Sequence, residues 1–588
     1  MSIRGARAWA LVAVRATWPF LLVTLVFVSV GGVGFSPTDE GLIQAGAQRI
    51  LRGEIPHLDV ISPRPLGSAY LHTIDLLLPT PLVATSRFIG LCEIAAYTAL
   101  LASLAFRRGP LKWSVIQCLL VATAILVNVH TFPVTAWHTI DGLLLTSAGF
   151  VALAVGMARR RQLVVDLAMV LLGAAIVVKQ SFAPGVALGL LWIALDARPS
   201  IGVGTRRVVR GVIAAAIPGA AYTLVVLAGG ALGRMWIQLT SGGGQVAHQI
   251  ESELDRAGDA ADTLFFAACV ALIVLVITDR VSRRVSAPVA PAARVCGLAA
   301  RVVLTAAVIE IVVSSRLELY GAWGTLLLGL VLLVVAWRAA AGDGIDGIAL
   351  LTLAVGAMAM LSWGYAVPDL VGGSLALVVV HRAWHGIDLS AVWLPRVAVA
   401  GGAAAAIVFI VIAGVVHDER TYNVYRHPTG EELTVDLGTI DDDFAGITSN
   451  AGIAAYLRQA RDCVERFPAS RVALLPDNAM LSPAFGLENP LPNDWMWGSE
   501  LADSTTAILQ AAERVGREGD YLVLFETTPA HSAAYIGVPR HVPPDAPIYF
   551  YLSGLGEDIR NRLPGERITC GSFVGVYSPP PGREEPSA

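Results

Sequence analysis

Long apolar runs recur along the first 416 residues of the chain and then stop. Most of them are roughly 17–23 residues long, which is the length that an α-helix needs to cross the hydrocarbon core of a membrane. The pattern predicts a polytopic α-helical membrane protein with about 13 transmembrane helices. The predicted spans cover residues 15–35, 83–106, 113–129, 142–158, 162–178, 183–196, 208–230, 262–278, 295–315, 321–337, 346–362, 366–382 and 394–416.

Basic residues are spaced along the chain in a way that fits this number of spans. Arg4, Arg7 and Arg15 precede the end of the first run, and cytoplasmic loops carry the excess of lysine and arginine. With these three residues in the cytoplasm, alternation places the basic clusters at 107–112, 159–161, 206–210 and 280–284 on the same side. We therefore expect a multi-pass plasma-membrane protein with a cytoplasmic N-terminus, an uncleaved first helix and the polar C-terminal segment outside.

Composition supports a membrane protein and excludes one class of partner. Of the 588 residues, 55% are hydrophobic and only 15% are charged, whereas a soluble domain carries about 25% charged residues. The mean hydropathy is +0.64. The chain has no basic arm, no Cys/His zinc spacing and no interleaving of aromatic and basic residues, so no nucleic-acid partner is expected.

Residues 417–588 form a second region, which is polar and has no predicted span. Short apolar stretches such as RVALLP and YLVLFE alternate with amphipathic segments at 450–467 and 500–518. This alternation predicts a soluble extracytoplasmic α/β domain after a transmembrane domain of residues 1–416. Cys463 and Cys570 are the only cysteines of the second region. An oxidising compartment makes their pairing plausible, but spacing alone leaves them either paired or free.

Residues that could take part in catalysis or binding are concentrated in the predicted first outer loop, residues 36–82. Its charged residues include Asp39, Glu40, Asp59 and Arg64, with His57 close by. Charged groups held against a membrane boundary are costly, and they often mark a site.

A structural explanation competes for the start of this loop. Ser36, Pro37 and Asp39 have the spacing of a helix start, with Ser36 as the N-cap and Asp39 at the capping-box position. Gly53 would then end the helix. Capping does not account for the other charged residues of the loop.

The loop also carries a family resemblance. The sequence TDEG, followed by LRGEIPHLDV and a Pro-rich turn, resembles the first extracytoplasmic loop of the C-type (GT-C) glycosyltransferases, above all the protein mannosyltransferases and lipid A aminoarabinose transferases. The resemblance implies an inverting enzyme whose donor is a polyprenyl-phosphate sugar and whose acceptor belongs to the cell envelope. It implies that Asp39 is the general base, with Glu40 as a second catalytic candidate. It further implies substrate contacts from Asp59 and Asp141.

Further candidates lie near the predicted outer ends of spans. Lys179, followed by glutamine as in members of the superfamily, is a candidate partner for the leaving phosphate, although a lysine that extends to lipid headgroups is the alternative. Arg64, Arg87 and Arg316 are further cationic candidates for the substrate. His57 is a weaker substrate contact.

A second predicted outer loop holds an aromatic residue, two histidines and an acid. Trp137 and His138 precede Asp141, and aromatic rings suit the face of a sugar; an interfacial tryptophan with an N-cap aspartate is the alternative. His130 and His138 with Asp141 are a weak metal signal because two histidines eight residues apart lack a fixed third ligand. We expect no cofactor and no metal.

Two other functions remain open on the sequence. A transporter or flippase of lipid-linked saccharides would use ionisable residues inside spans, for which Glu93 and Glu310 are the best candidates. A non-catalytic scaffold for envelope assembly would use the C-terminal domain as a binding module and would not depend on Asp39.

Overall fold

A computed structural model describes residues 17–130, 135–196, 201–241, 263–284, 290–317, 321–361, 368–385 and 394–581, together with positions 251, 252, 255 and 258. The N-terminal region is almost wholly helical. Its helices, in chain order, are α1 Thr17–Gly31, α2 Leu42–Leu51, α3 Gly67–Leu71, α4 Thr73–Leu77, α5 Leu82–Phe106, α6 Val115–His130, α7 His138–Ala158, α8 Gln162–Val178, α9 Ala183–Asp196, α10 Ile201–Ala228, α11 Leu232–Thr240, α12 Thr263–Arg284, α13 Ala290–Ser314, α14 Trp323–Ala341, α15 Gly347–Met360, α16 Gly372–Trp384 and α17 Leu394–Thr421.

Each predicted span overlaps one of these helices, and the prediction of a polytopic helical protein is confirmed. By length and composition, seven helices of the described chain are able to cross a membrane: α5, α7, α10, α12, α13, α14 and α17. Several shorter helices are equally apolar. The number of thirteen spans and their orientation stay predictions, and Arg4, Arg7, Arg15 and the side chain of His130 lie outside the described residues.

The outer surface of the bundle is apolar. Leu224, Phe266 and Ile410 are each more than 60% exposed, a state that water disfavours and lipid tolerates. Inside, a buried Asn128 side chain joins three helices. It donates hydrogen bonds to Thr98 and Ser374 and accepts one from the backbone N–H of Gly373. A polar group in an apolar core is stable only when it is hydrogen-bonded in this way.

The C-terminal region folds as the predicted α/β domain. Its elements are β1 Val435–Asp436, β2 Thr448–Ser449, α18 Ala451–Arg466, β3 Arg471–Leu475, α19 Leu481–Ala484, α20 Thr505–Glu518, β4 Tyr521–Glu526, α21 Ala530–Ile536, α22 Leu555–Arg562, β5 Glu566–Cys570 and β6 Phe573–Ser578. The main sheet has the order β3–β4–β6–β5, with β3 parallel to β4 and the other pairs antiparallel. Cys463 and Cys570 form a disulfide, with Cα atoms 5.7 Å apart, so this open question is answered.

The first loop lies between the bundle and the C-terminal domain. Backbone N–H groups tie it to that domain: Gly34, just before the loop, donates to Thr448, and Ile61, within the loop, donates to Pro492. Phe35 is buried in the core that the domain builds around α18. Side chains of the loop therefore face both parts of the protein.

The start of α2 differs from the sequence prediction. The helix begins at Leu42 behind Gly41, whose φ is +98°, and not behind Ser36. A Cβ at Gly41 would lie 2.3 Å from the Cα of Met480, so only glycine permits the domain to approach this closely. The predicted end is confirmed, because Gly53 follows the last turn with a φ of +81°.

Residues 66–78 form two short amphipathic helices, α3 and α4. Leu71, Ile74 and Leu77 are 46–64% exposed, while His72 and Asp75 are buried. An apolar outer face above polar inner groups suits a segment that lies along the membrane interface.

Candidate functional site

Asp39 is buried at the junction of the two domains, with 5% of its surface exposed. Its carboxylate accepts hydrogen bonds from the Ser36 and Thr38 hydroxyls and from Tyr425, and lies 3.0 Å from the Arg426 guanidinium. Burial raises the pKa of Asp39 above its usual value, although Arg426 and these hydrogen bonds lower it in part. Asp39 makes these contacts with its side chain. The capping-box role that the sequence offered for Asp39 is wrong, because α2 begins only at Leu42.

Glu40 is held in a different network. Arg87 binds both of its carboxylate oxygens, at 2.7 and 3.0 Å, and also donates to the backbone carbonyls of Gly31 and Gly34. Glu40 in turn accepts from the backbone N–H of Ser36. The pair thus fixes the turn that carries Asp39 against α5. Glu40 was predicted as a second catalytic candidate and Arg87 as a substrate contact; in the structure they bind each other, and these bonds position the turn.

A second acid lies beside Asp39 on the C-terminal domain. Asp477 follows β3 and is fully buried; one of its oxygens accepts a hydrogen bond from Tyr551, and the other has no partner among the described residues. Burial raises the pKa of Asp477 to about 7, and the nearby charge of Asp39 contributes to the increase. We refer to Asp39, Arg426 and Asp477 together as the acid site.

A third acid, Glu526, lies at the same edge of the sheet as Asp477. Glu526 ends β4 and is fully buried; it accepts hydrogen bonds from Tyr456, Asn478 and the backbone N–H of Ala530. Burial and the charge of Asp477 raise the pKa of Glu526 well above its usual value. Asp477 and Glu526 both lie at the carboxyl ends of parallel strands, which is where α/β sheets bind their ligands. Because its hydrogen bonds are satisfied, Glu526 shapes the site, whereas Asp477 keeps a free oxygen.

A row of aromatic rings runs from the bundle to the acid site. We call Trp137, Trp495, Trp497, Tyr551 and Tyr549 the aromatic ladder; successive ring centres lie 6.2, 5.7, 6.4 and 5.4 Å apart. Trp137 is 3% exposed and Trp497 is 36% exposed, so the ladder passes from the interior to the surface. Its link to the acid site is the hydrogen bond from the hydroxyl of Tyr551 to Asp477.

Three of the predicted substrate-binding residues, Arg64, His138 and Lys179, lie together at a place separate from the acid site. Arg64 binds Glu500 through both carboxylate oxygens, at 2.6 and 2.7 Å, and lies within electrostatic range of His138 and Lys179. The Nζ atom of Lys179 is buried and donates to Thr139 at 2.9 Å. We refer to Arg64, His138, Lys179 and Glu500 as the cation cluster. Arg64, His138 and Glu500 line a cavity of about 60 Å³.

Three other predicted residues take structural positions. His57 is buried between Tyr222 and Gln238, which hydrogen-bond to its two ring nitrogens, so it anchors the loop to α10 and α11. Asp59 is exposed and accepts from the backbone N–H of Ile55. Arg316 is mostly exposed and pairs with Glu419 at 2.8 Å. The structure does not bring these three residues to the acid site or the cation cluster.

Asp141 lies on α7 three residues after His138 of the cation cluster, but its side chain has other partners. It is fully buried and forms a hydrogen bond with His72 at 3.2 Å, and not with His138, with which it formed only a weak metal signal in the sequence. No residue of the acid site or of the cation cluster lines the large cavity of the bundle, which has a volume of about 980 Å³. Apolar side chains line most of it, and Arg107, Arg108 and Arg159 lie at one end.

The sequence interpretation missed Asp477, Arg426, Glu500 and the ladder residues of the C-terminal domain. Two of the acids had a signal: Asp477 and Glu526 each stand at the end of a predicted buried strand, where a charged residue is costly unless it has a role. Arg426 had none, because its position beside Asp39 depends on how the chain returns after α17.

Two comparisons with known proteins found no match. The sequence matches no protein-family model, and no curated protein matches it.

Proposed function

We propose that the protein is an inverting glycosyltransferase that moves a sugar from a polyprenyl-phosphate donor to a cell-envelope acceptor at the outer face of the membrane. One observation carries the proposal. Asp39 is a buried carboxylate with a raised pKa, paired with a cation and placed where the membrane bundle meets the C-terminal domain. A lipid-linked donor and a polar acceptor would meet at such a junction.

Asp39 would act as the general base. A raised pKa makes a carboxylate a better proton acceptor near neutral pH. Asp39 takes the proton of the acceptor hydroxyl while that oxygen forms a bond to the anomeric carbon. The bond from this carbon to the phosphate oxygen breaks, and its electron pair leaves with the polyprenyl phosphate. Attack opposite the leaving group inverts the anomeric centre.

Cationic side chains would stabilise the leaving phosphate. Arg426 is the cation paired with Asp39, and guanidinium groups bind phosphate oxygens well. The cation cluster offers a second anion site, since Arg64, Lys179 and Glu500 lie together in a buried setting. The part that the sequence suggested for Lys179 thus stays a proposal, with Arg426 added to it.

The C-terminal domain would hold the acceptor. The aromatic ladder gives a line of rings on which sugar faces pack, and its Tyr551 hydroxyl donates to one oxygen of Asp477, whose other oxygen has no partner among the described residues. A glycan, a glycolipid sugar or a glycosylated protein fits this surface. The Cys463–Cys570 disulfide favours an oxidising compartment, which supports an extracytoplasmic position for the domain.

The test is sugar transfer in membranes supplied with a panel of radiolabelled polyprenyl-phosphate sugars. Wild-type protein should transfer label from at least one donor, and Asp39→Asn at equal expression should not. Asp442→Asn, the same substitution at an exposed position of the C-terminal domain, serves as the matched control and should transfer normally. Absence of transfer from every donor by the wild type would overturn the proposal.

A transporter of lipid-linked saccharides is the second candidate, and one observation favours it. Glu93 lies about 16 Å along α5 from the start of the helix, beside His72 and Asp141, which is the kind of ionisable group that proton-coupled carriers place inside spans. Proteoliposomes that move a labelled lipid-linked sugar across the bilayer without transferring the sugar would support this reading over the enzyme.

A further inference from the structure

Three carboxylates and one imidazole meet inside the protein where α3 and α4 contact α5 and α7. They are His72, Asp75, Glu93 and Asp141, and all but Glu93 are fully buried. The donor atoms of His72, Glu93 and Asp141 all lie within 4.8 Å of one another. The four residues come from three separate helical segments of the chain, so the fold has assembled them.

The two nitrogens of His72 face different partners. Nε2 lies 3.2 Å from an oxygen of Asp141 and 3.8 Å from an oxygen of Glu93. Nδ1 lies 3.0 and 3.1 Å from the two oxygens of Asp75. A histidine that binds a metal typically donates its other ring N–H to a carboxylate, which fixes the tautomer and the orientation of the ring. Asp75 stands in that place and is itself held by a hydrogen bond from Gln44 at 3.1 Å.

The charge of this group is unbalanced without a cation. Three carboxylates face one imidazole, and no arginine or lysine of the described chain forms an ion pair with any of the three. Two buried oxygens of the group, one from Asp141 and one from Glu93, receive no hydrogen bond from a donor group of the described residues, and the two carboxylates lie within hydrogen-bonding range of each other. Buried charges are normally paired or bound to metals, so a cation that accepts lone pairs from both carboxylates would satisfy this arrangement.

We propose that His72, Glu93 and Asp141 bind a divalent transition-metal ion, with Asp75 as the partner that orients His72. One imidazole nitrogen and two carboxylate oxygens form a donor set that suits zinc or manganese. Calcium and magnesium prefer sets made only of oxygen atoms. A bound ion would draw the donor atoms closer together and would satisfy carboxylate oxygens that have no other donor.

The ion would tie the amphipathic helices of the first loop to the bundle. His72 lies between α3 and α4, Glu93 belongs to α5 and Asp141 to α7. A metal that links three segments stabilises the folded state by the free energy of binding. This assignment does not rest on the proposed transferase activity, because the acid site shares no residue with the metal site.

Elemental analysis of the purified full-length protein tests the proposal directly. Wild-type protein should carry about one equivalent of a transition metal, and His72→Ala and Glu93→Gln should each lose it. Asp279→Asn is the matched control: it changes a largely buried acid that pairs with Arg301 elsewhere in the bundle, and it should keep the metal.

A second measurement separates metal loss from misfolding. Wild-type protein stripped with a chelator should unfold at a lower temperature, and added Zn²⁺ or Mn²⁺ should restore the original value. The Glu93→Gln protein, which keeps the volume of the side chain, should show no response to either treatment. A wild-type protein that contains no transition metal and whose unfolding temperature is unchanged by added Zn²⁺ and Mn²⁺ would overturn the proposal, whatever the result of the sugar-transfer assay.

Discussion

Arg64 and Glu500 join the first loop to the C-terminal domain through a two-pronged ion pair, with N–O distances of 2.6 and 2.7 Å. Both side chains are less than 10% exposed. Removal of one partner from a buried pair leaves an uncompensated charge, which costs about 3–5 kcal/mol. Arg64→Met should therefore lower the free energy of unfolding by several kcal/mol, and Arg64→Met with Glu500→Leu by much less. Chemical unfolding of the two variants in detergent measures the difference. Equal losses in both would show that the pair does not couple the two parts.

Asp477 should make stability depend on pH. Its pKa is about 7 in the folded protein against an ordinary value of 3.8, so the folded state binds more protons than the unfolded state between these values. The contribution of Asp477 to stability is therefore complete below about pH 4 and is lost as the pH rises toward 7 and beyond.

Thermal unfolding of wild type and Asp477→Asn across pH 4–8 checks this expectation. The stability of the wild type relative to the variant should fall as the pH rises, because asparagine does not titrate. A difference that stays constant over this range would show that Asp477 is not the buried acid described.

The disulfide should contribute strongly to the stability of the C-terminal domain. Cys463 and Cys570 are 107 positions apart, and closing a loop of that size restricts the unfolded chain by about 4–5 kcal/mol. Cys463→Ser with Cys570→Ser should unfold at a clearly lower temperature than the wild type. A reductant should lower the unfolding temperature of the wild type and leave that of the variant unchanged; a variant as stable as the wild type would contradict the expectation.

Trp497 should contribute to acceptor binding if the aromatic ladder holds a sugar. It is the most exposed ring of the ladder, and aromatic packing of this kind contributes about 0.5–1.5 kcal/mol beyond area burial. Trp497→Ala should raise the acceptor KM roughly two- to tenfold and leave the donor KM unchanged, while Trp497→Phe should recover most of the loss. An unchanged acceptor KM would remove the ladder from the acceptor site.

The sequence predicted the large-scale fold because its signals are local. A long apolar run predicts a helix without information from the rest of the chain, and the strands RVALLP and YLVLFE are bounded by polar residues at both ends. The end of α2 is likewise marked by a local signal, the glycine at position 53. The start of α2 was mispredicted because the determining contact, between Gly41 and Met480, joins residues far apart in the chain.

The site was predicted only in part, for the same reason. The position of Asp39 near a membrane boundary is visible in the sequence, but its partners Arg426 and Asp477 come from the other end of the chain. Asp141 was predicted to contact the substrate; its hydrogen-bond partner in the structure is His72, which lies between the amphipathic helices α3 and α4, 69 positions earlier. Long-range pairing of this kind depends on tertiary packing, which no local pattern specifies.

Donor binding and sugar transfer by purified Asp39→Asn together test the central claim most directly. Asparagine keeps the size of the side chain and cannot accept the proton, so the account predicts donor binding within about twofold of the wild type and transfer reduced by roughly 10²–10⁴-fold. Transfer at the wild-type rate would contradict the account, because the acceptor would then be activated by a group other than Asp39.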